Sequence, residues 1–388
     1  MLDQVFVLLK HWLLGYTPSV MQPAISILLT VIPILLVFPL LFALTTVLER
    51  KGLGRMQNRY GPNRVGFFGI LQPMADALKS LTKEDIVPAA ADQTVHFLAP
   101  LVLLAVAFLP YAVLPIGRNM IAANLDAGVL FFFSIGAISE LSVFMAGWSS
   151  RNKYSLLGAM RAVAQMMSYE VPLLLSSVAV IMATGSLSTV EIVQKQAGFS
   201  GVFPHWYVFT PWGFVGFILF MIAATAETNR SPFDLPEGES EIIAGYYLEY
   251  SGFKFALFFL GEYLGMFAIS GLGITLFLGG WSAPLPFLTW VPSWVWFFAK
   301  LFGLIAGFIW VRGTLPRLRM DQLMNFAWKF MLPMALVVVV AAGAWRFLPS
   351  GVTRWLISLV FLALAYVLLA RGIDTGNKVA KRTYRFAE

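Results

Sequence analysis

The sequence predicts an all-α polytopic integral membrane protein of about nine transmembrane helices. Three observations carry that prediction. Only 12% of the 388 residues are charged, where a soluble domain carries about 25%. The apolar residues come in long runs, such as Ala24 to Val47 and Phe255 to Leu278, and about 20 such residues cross a bilayer as a helix. The strand-like alternation of a membrane β-barrel is absent. Helices remain, because in lipid every backbone group must be bonded within the segment.

The elements follow in order. MLDQVFVLLKHWLLG puts Val5, Leu8, Leu9 and Trp12 on one helical face, so residues 1–22 are expected to form an interfacial helix. Asp3 precedes any Lys and no small-residue cleavage site follows, so the segment does not read as a signal peptide. Spans are expected near 23–47, 97–116, 128–147, 158–183, 212–227, 255–279, 294–312, 328–346 and 354–371. Residues 23–353 make one membrane domain, and 354–388 add a C-terminal helix with a basic tail. Pro33, Pro39, Pro110, Pro172 and Pro333 fall inside spans and predict kinks, whose freed carbonyls neighbouring helices satisfy.

Lys and Arg set the orientation. One set of loops holds Arg50 to Lys83, Arg151, Lys153, Arg230, Lys254, Arg312 to Lys329 and the tail from Arg371. The opposite loops hold only Lys10, Arg118, Lys195, Arg346 and Arg354. The richer set belongs in the cytoplasm, which puts the N-terminus outside and, after nine crossings, the C-terminus inside. The net charge of +7 is therefore a topology signal, and nucleic acid is not an expected partner. The Trp- and Pro-rich stretch WSAPLPFLTWVPSW reads as an interfacial anchor on the outer side.

The chain has no cysteine, which excludes disulfides and Cys-held iron–sulfur clusters on it. His11, His96 and His205 are scattered and show no metal-ligand spacing. A redox centre or metal of its own is not expected.

Two cytoplasmic segments are too charged to be plain connectors. The first, VLERKGLGRMQNRYGPNRVGFFGILQPMADALKSLTKED, carries Arg50, Arg55, Arg59 and Arg64, then an apolar stretch with Asp76 and Lys79 that reads as a helix along the interface. From composition alone, positive-inside topology plus binding of lipid head groups is the favoured account of it. The second, AETNRSPFDLPEGESEIIAGYYLEYSG, crowds Asp234, Glu237, Glu239, Glu241 and Glu249 beside Arg230 and Phe233. Acids this dense repel one another's charge. Salt bridges to Arg55, Arg59 or Arg64, or to a neighbouring subunit, are the simpler account.

Acids within the spans are more specific. Glu140, Glu170, Glu227 and Glu262 sit in or at the edge of four different spans. An acid there costs roughly 3 kcal/mol by insertion scales and marks function by default. Together they read as a polar route for protons, with Arg161 and Tyr169 as candidate partners. For each alone, a structural hydrogen bond to a neighbouring helix suffices. A third basic loop, RGTLPRLRMDQLMNFAWKFMLP, offers Arg312, Arg317 and Arg319 to lipid phosphates, a docked subunit, or both.

The strings ERKGLGRMQNRYGPNRVGFFGILQPMADALK, RAVAQMMSYEVPLL, AETNRSPFDLPEGESEIIAGYYLEYSG and RGTLPRLRMDQLM resemble the H-subunit family of the proton-pumping NADH:quinone oxidoreductase, respiratory complex I. Its mitochondrial members are called NADH dehydrogenase subunit 1. The resemblance covers about residues 25–346, so the helix at 354–371 lies beyond the family's common eight-helix core. Tyr247 and Leu248 stand where the family often has a His before EYSG.

The resemblance implies a membrane subunit, inactive alone, at the junction with the peripheral arm. It implies a quinone-access chamber with Arg50, Arg55, Arg59, Arg64, Asp76, Lys79, Arg230 and Phe233 at its mouth and at the subunit junction. It implies a proton path through Glu227, Asp234, Glu237, Glu239 and Glu241, continued by Glu140, Glu170 and Glu262. Quinone would be the substrate. NADH, flavin and iron–sulfur clusters would belong to partner subunits, namely the peripheral quinone module, with small membrane subunits and lipids as further neighbours. The implied location is the bacterial cytoplasmic (inner) membrane. Two rivals stay open. A membrane subunit of a related hydrogenase assembly would co-purify with a nickel–iron partner. A secondary transporter would move substrate alone and show paired discontinuous helices, for which the sequence offers no repeat.

Overall fold

The long apolar runs all fold as helices. A computed structural model describes residues 2–235, 238, 242–349 and 351–376. Chain order begins with α1 (Val5–Gly15), α2 (Gln22–Met56) and α3 (Gln72–Thr82). α2 continues beyond the apolar run to Met56, because ERKGLGRM contains no proline to break it, and Arg55 in its last turn suits the negative end of the helix dipole. α4 (Gln93–Phe108) starts on Asp92, whose side chain accepts from Val95 N at 3.3 Å, and passes into a 3-10 turn at Leu109–Ala112.

α5 (Gly128–Ser149) and α6 (Lys153–Thr184) follow. α6 is capped by Asn152, which accepts from Tyr154 N at 2.9 Å, and closed by Gly185 in the left-handed region. After α7 (Thr189–Gln196) and a hairpin of two-residue strands comes α8 (Pro211–Glu227). At 17 residues α8 is about 25 Å long, shorter than a hydrocarbon core of about 30 Å. Its C-terminal end leads into irregular chain packed within the protein, where such backbone is tolerated at depth.

α9 (Gly252–Phe277), α10 (Ser293–Thr314), α11 (Met320–Phe326), α12 (Leu332–Phe347) and α13 (Val352–Gly376) complete the order. A π-helical turn at Ala327–Met331 joins α11 to α12 as one span. Among the described residues, eight helices are long and apolar enough to cross a membrane, with α8 as a shorter apolar helix beside them.

Burial ranks the helices. In α9, 67% of the most apolar window is buried, against 11% in α2 and in α13. α9 is therefore the core helix, while α2 and α13 present apolar flanks outward. α6 packs on α5, α8 and α12; α4 packs on α5 and α9; α10 lies between α9 and α2.

Candidate functional site

The acids of three helices meet at one cavity. Glu170 on α6, Glu227 at the end of α8 and Glu262 on α9 line a space of about 110 Å³, with Ser139, Thr228 and Asn229 adding polar groups. Its walls are apolar and include Phe132, Phe133, Met166 and Ile269. That space admits several waters, because one needs only about 10–15 Å³ on this measure. Two glycines make part of the room. Gly136 and Gly265 line the cavity, and a Cβ on either would meet nothing within 4 Å.

Glu140 on α5 does not line this space, although its charge is felt at Glu227. Glu140 Oε1 and Glu227 Oε2 are buried with no hydrogen-bond partner among the described residues. Glu262 accepts from the Tyr246 hydroxyl at 2.7 Å. Tyr169, expected as a partner of the acids, instead donates to the Leu323 carbonyl at 3.0 Å.

The loop after α8 is held by side chains of α6. Gln165 Nε2 donates to the carbonyls of Ala226 and Phe233, both at 2.8 Å. Phe233 packs on Tyr169, with ring centres 5.3 Å apart. Further along, Gly158 of α6 sits against Gly245, where a Cβ would come within 2.7 Å of backbone atoms. Only glycine at 158 allows that approach. It brings Tyr246 onto α6, where the Tyr246 carbonyl accepts from Ser155 Oγ at 2.9 Å.

On the other flank of α9 lies a buried ion cluster. Glu49 of α2 pairs with Arg312 of α10, lies 3.5 Å from Arg230, and accepts from the Tyr263 hydroxyl. The Arg230 guanidinium stands 4.0 Å from the centre of the Tyr263 ring. Burial works against the charge of Arg230, but Tyr263, Glu49 and Glu262 outweigh it and raise its pKa above the ordinary arginine value. Arg230 therefore stays charged and couples electrostatically to both sites. Met266, Ile305, Phe308 and Ile309 close around this cluster and leave a gap of only about 10 Å³.

The sequence-predicted residues divide accordingly. Glu170, Glu227 and Glu262 converge, and Arg230 and Phe233 are buried. Arg50 and Asp76 form a half-exposed salt bridge at 2.6 Å, which ties α2 to α3. Arg55, Arg59, Arg64 and Lys79 are exposed. Arg55 lies 5.9 Å from the Tyr60 ring, Arg59 bonds Gln57 at 2.7 Å, and Arg64 lines a shallow groove beside Tyr60 and Gln72. Asp234 is partly buried, and Glu249 accepts from Asn152 at 2.6 Å. Glu237, Glu239 and Glu241 lie outside the described residues. Arg312, expected to face lipid or a docked neighbour, points inward to Glu49. A buried carboxylate needs partners to offset its lost hydration, and two guanidiniums and a phenol supply them. Glu49 and Tyr263 carried no sequence signal of their own. Among the described residues, no group of three or more His, Cys, Asp or Glu could hold a metal ion.

A family model described as NADH dehydrogenase matches residues 29–343. The H subunit of the NADH-quinone oxidoreductase of Polaromonas naphthalenivorans (strain CJ2) is 42% identical over 360 residues, covering 91% of this chain and all of that one. Its namesake from Burkholderia vietnamiensis is 44% identical over 340 residues, 86% of this chain and 95% of its own. A third of the same name, from Dehalococcoides mccartyi (strain CBDB1), is 50% identical over 293 residues, 76% of this chain and 79% of its own.

Proposed function

This chain belongs to the NADH dehydrogenase family as a membrane component of the H-subunit type, and from that premise we propose that it links quinone reduction to proton translocation in the assembled oxidoreductase. The observation that carries the proposal is the pairing of two sites across α9. Glu170, Glu227 and Glu262 share one cavity with room for several waters. Tyr263, the next residue, joins the Glu49–Arg230–Arg312 cluster on the other side.

The cavity of about 110 Å³ is lined by three carboxylates, which suits it to protons rather than to a quinone head. The quinone chamber belongs on the cluster side, between α2, α9 and α10. Apolar Met266, Ile305, Phe308 and Ile309 suit an isoprenoid tail there, and Arg230 and Arg312 suit a polar head. The gap is nearly closed, so the helices must part or a partner subunit must complete the chamber. Partner subunits carry the NADH, flavin and iron–sulfur chemistry and dock on the basic face that presents Arg50, Arg55, Arg59, Arg64, Asp76 and Lys79.

The chain's residues then act as follows. A reduced quinone brings negative charge and proton demand beside Arg230. The field of Arg230 reaches Glu49 and, less strongly, Glu262, so a change at the cluster alters the balance at Glu262. Glu262, held by Tyr246, passes the change across the cavity to Glu227 and Glu170, and from there toward Glu140. Asp234, Glu237, Glu239 and Glu241 are the further acids of the proposed path. The membrane is the bacterial cytoplasmic membrane, with the N-terminus outside and the C-terminus in the cytoplasm. Residues 23–353 supply the coupling domain, and 354–388 add an anchoring helix and tail.

Glu227→Gln in the assembled complex tests this. NADH oxidation by a water-soluble acceptor should persist, while quinone reduction and proton pumping fall together. Wild-type quinone turnover in that variant would remove Glu227 from the path.

A further inference from the structure

Lys300 is a cation inside α10 that the proposed relay does not use. Its Nζ donates to the carbonyls of Leu278 at 2.7 Å, Gly280 at 2.8 Å and Ser282 at 2.7 Å. An ammonium has three donors, and all three are used. The Trp206 ring centre lies 4.1 Å from the same atom, and Trp206 Nε1 donates to Ser282 Oγ at 2.8 Å. Leu278 is the C-cap of α9. The ammonium thus sits at the negative end of that helix, where a cation is favoured.

Gln196 of α7 secures the same end. Its Nε2 donates to the carbonyls of Thr275 at 3.0 Å and Leu276 at 3.1 Å, and its Oε1 accepts from Gly279 N at 3.1 Å. Gly279 and Gly280 turn the chain through positive φ, 68° and 53°, which wraps the carbonyls around Nζ.

Midway along its length α9 serves two sites at once through adjacent residues. Glu262 lines the carboxylate cavity and Tyr263 bonds Glu49. α10 reaches that same level through Arg312, about 18 Å along the helix from Lys300. The two helices are therefore tied together at two levels. Only the tie through Glu49 lies within the coupling site.

We propose that Lys300 is a positioning residue for coupling: its ammonium locks the axial register of α9 against α10, so that Glu262 and Tyr263 meet their separate partners together. This rests on the relay proposed for Glu262. A register error of about 1 Å at a reacting site costs up to roughly a hundredfold in rate.

The test uses the detergent-solubilised, assembled complex. Lys300→Met should lower quinone reduction by roughly tenfold or more, leaving NADH oxidation by a water-soluble acceptor unchanged. Lys300→Ala leaves three carbonyls and an indole face around a space the size of an alkylammonium. Ethylammonium should restore its rate saturably, and tetramethylammonium, which has no N–H, should not. A merely space-filling side chain would not produce that selectivity. Wild-type quinone reduction in Lys300→Met, or a Lys300→Ala rate that ethylammonium leaves unrestored or restores no better than tetramethylammonium, overturns the proposal. Should neither variant assemble, Lys300→Ala grown and purified in ethylammonium decides: recovered complex supports the lock, and continued failure overturns it. Glu262→Gln serves as the separate control, since wild-type turnover there dismisses the relay whatever the amines do at position 300.

Discussion

Two buried charged sites flank α9, and they neutralise their acids in opposite ways. Glu49 is matched by Arg230, Arg312 and the Tyr263 hydroxyl, all within one tight cluster. Glu170, Glu227 and Glu262 share a roomier space, and of these Glu262 also feels the Arg230 charge. The first arrangement balances charge by pairing, so it is a fixture. In the second, proton uptake is the direct means of relieving repulsion between neighbouring carboxylates. The proposed coupling uses both, a fixed charge to report events on one side and a changeable set to answer on the other.

The sharpest way to break this contrast is to neutralise one acid on each side. Glu49→Gln should destabilise the assembled complex by about 3–5 kcal/mol, because it leaves two guanidiniums facing each other without their counter-charge. Glu227→Gln should leave the thermal midpoint near that of the wild type. Equal midpoints for the two variants, read by thermal unfolding of purified complex, would erase the distinction.

A smaller effect belongs to Tyr246→Phe. It removes the hydroxyl that donates to Glu262, a bond worth about 1 kcal/mol. Quinone reduction should drop severalfold while the Glu49 cluster and complex yield stay intact. An unchanged rate would show that Glu262 is oriented by something else. The smallest effect is expected for Arg50→Ala. Its pair with Asp76 is half-exposed, and such pairs contribute about 0.2–1 kcal/mol. The loss should appear only as a peripheral arm that dissociates at lower salt than in the wild type, measured by sedimentation.

Much of this layout was legible in the sequence, for identifiable reasons. Span positions followed from apolar runs. Their ends did not where a helix leaves the bilayer: α2 reaches Met56, α6 begins at Lys153 and the last core span begins at Met320, each through polar residues that hydropathy ignores. Glu140, Glu170 and Glu262 stood out because a charge within an apolar run is anomalous. Glu49 did not, since it adjoins Arg50 and Lys51 at a run's end, where charge is ordinary. Lys300 bore the same anomaly with the opposite sign, yet counting lysines for topology assigns them to loops. Gln165, neutral and followed by two methionines, gave no signal, though it anchors the loop after α8.

The glycines at 136 and 265 carry a consequence of their own. Each lies inside a helix, where alanine is favoured by up to about 1 kcal/mol, and each has clear space beyond its α-carbon. An added methyl would strengthen both helices and at the same time dry the space between the acids. Selection for sturdiness alone would fill those positions. On the proposed reading, their emptiness keeps a wettable space between the acids.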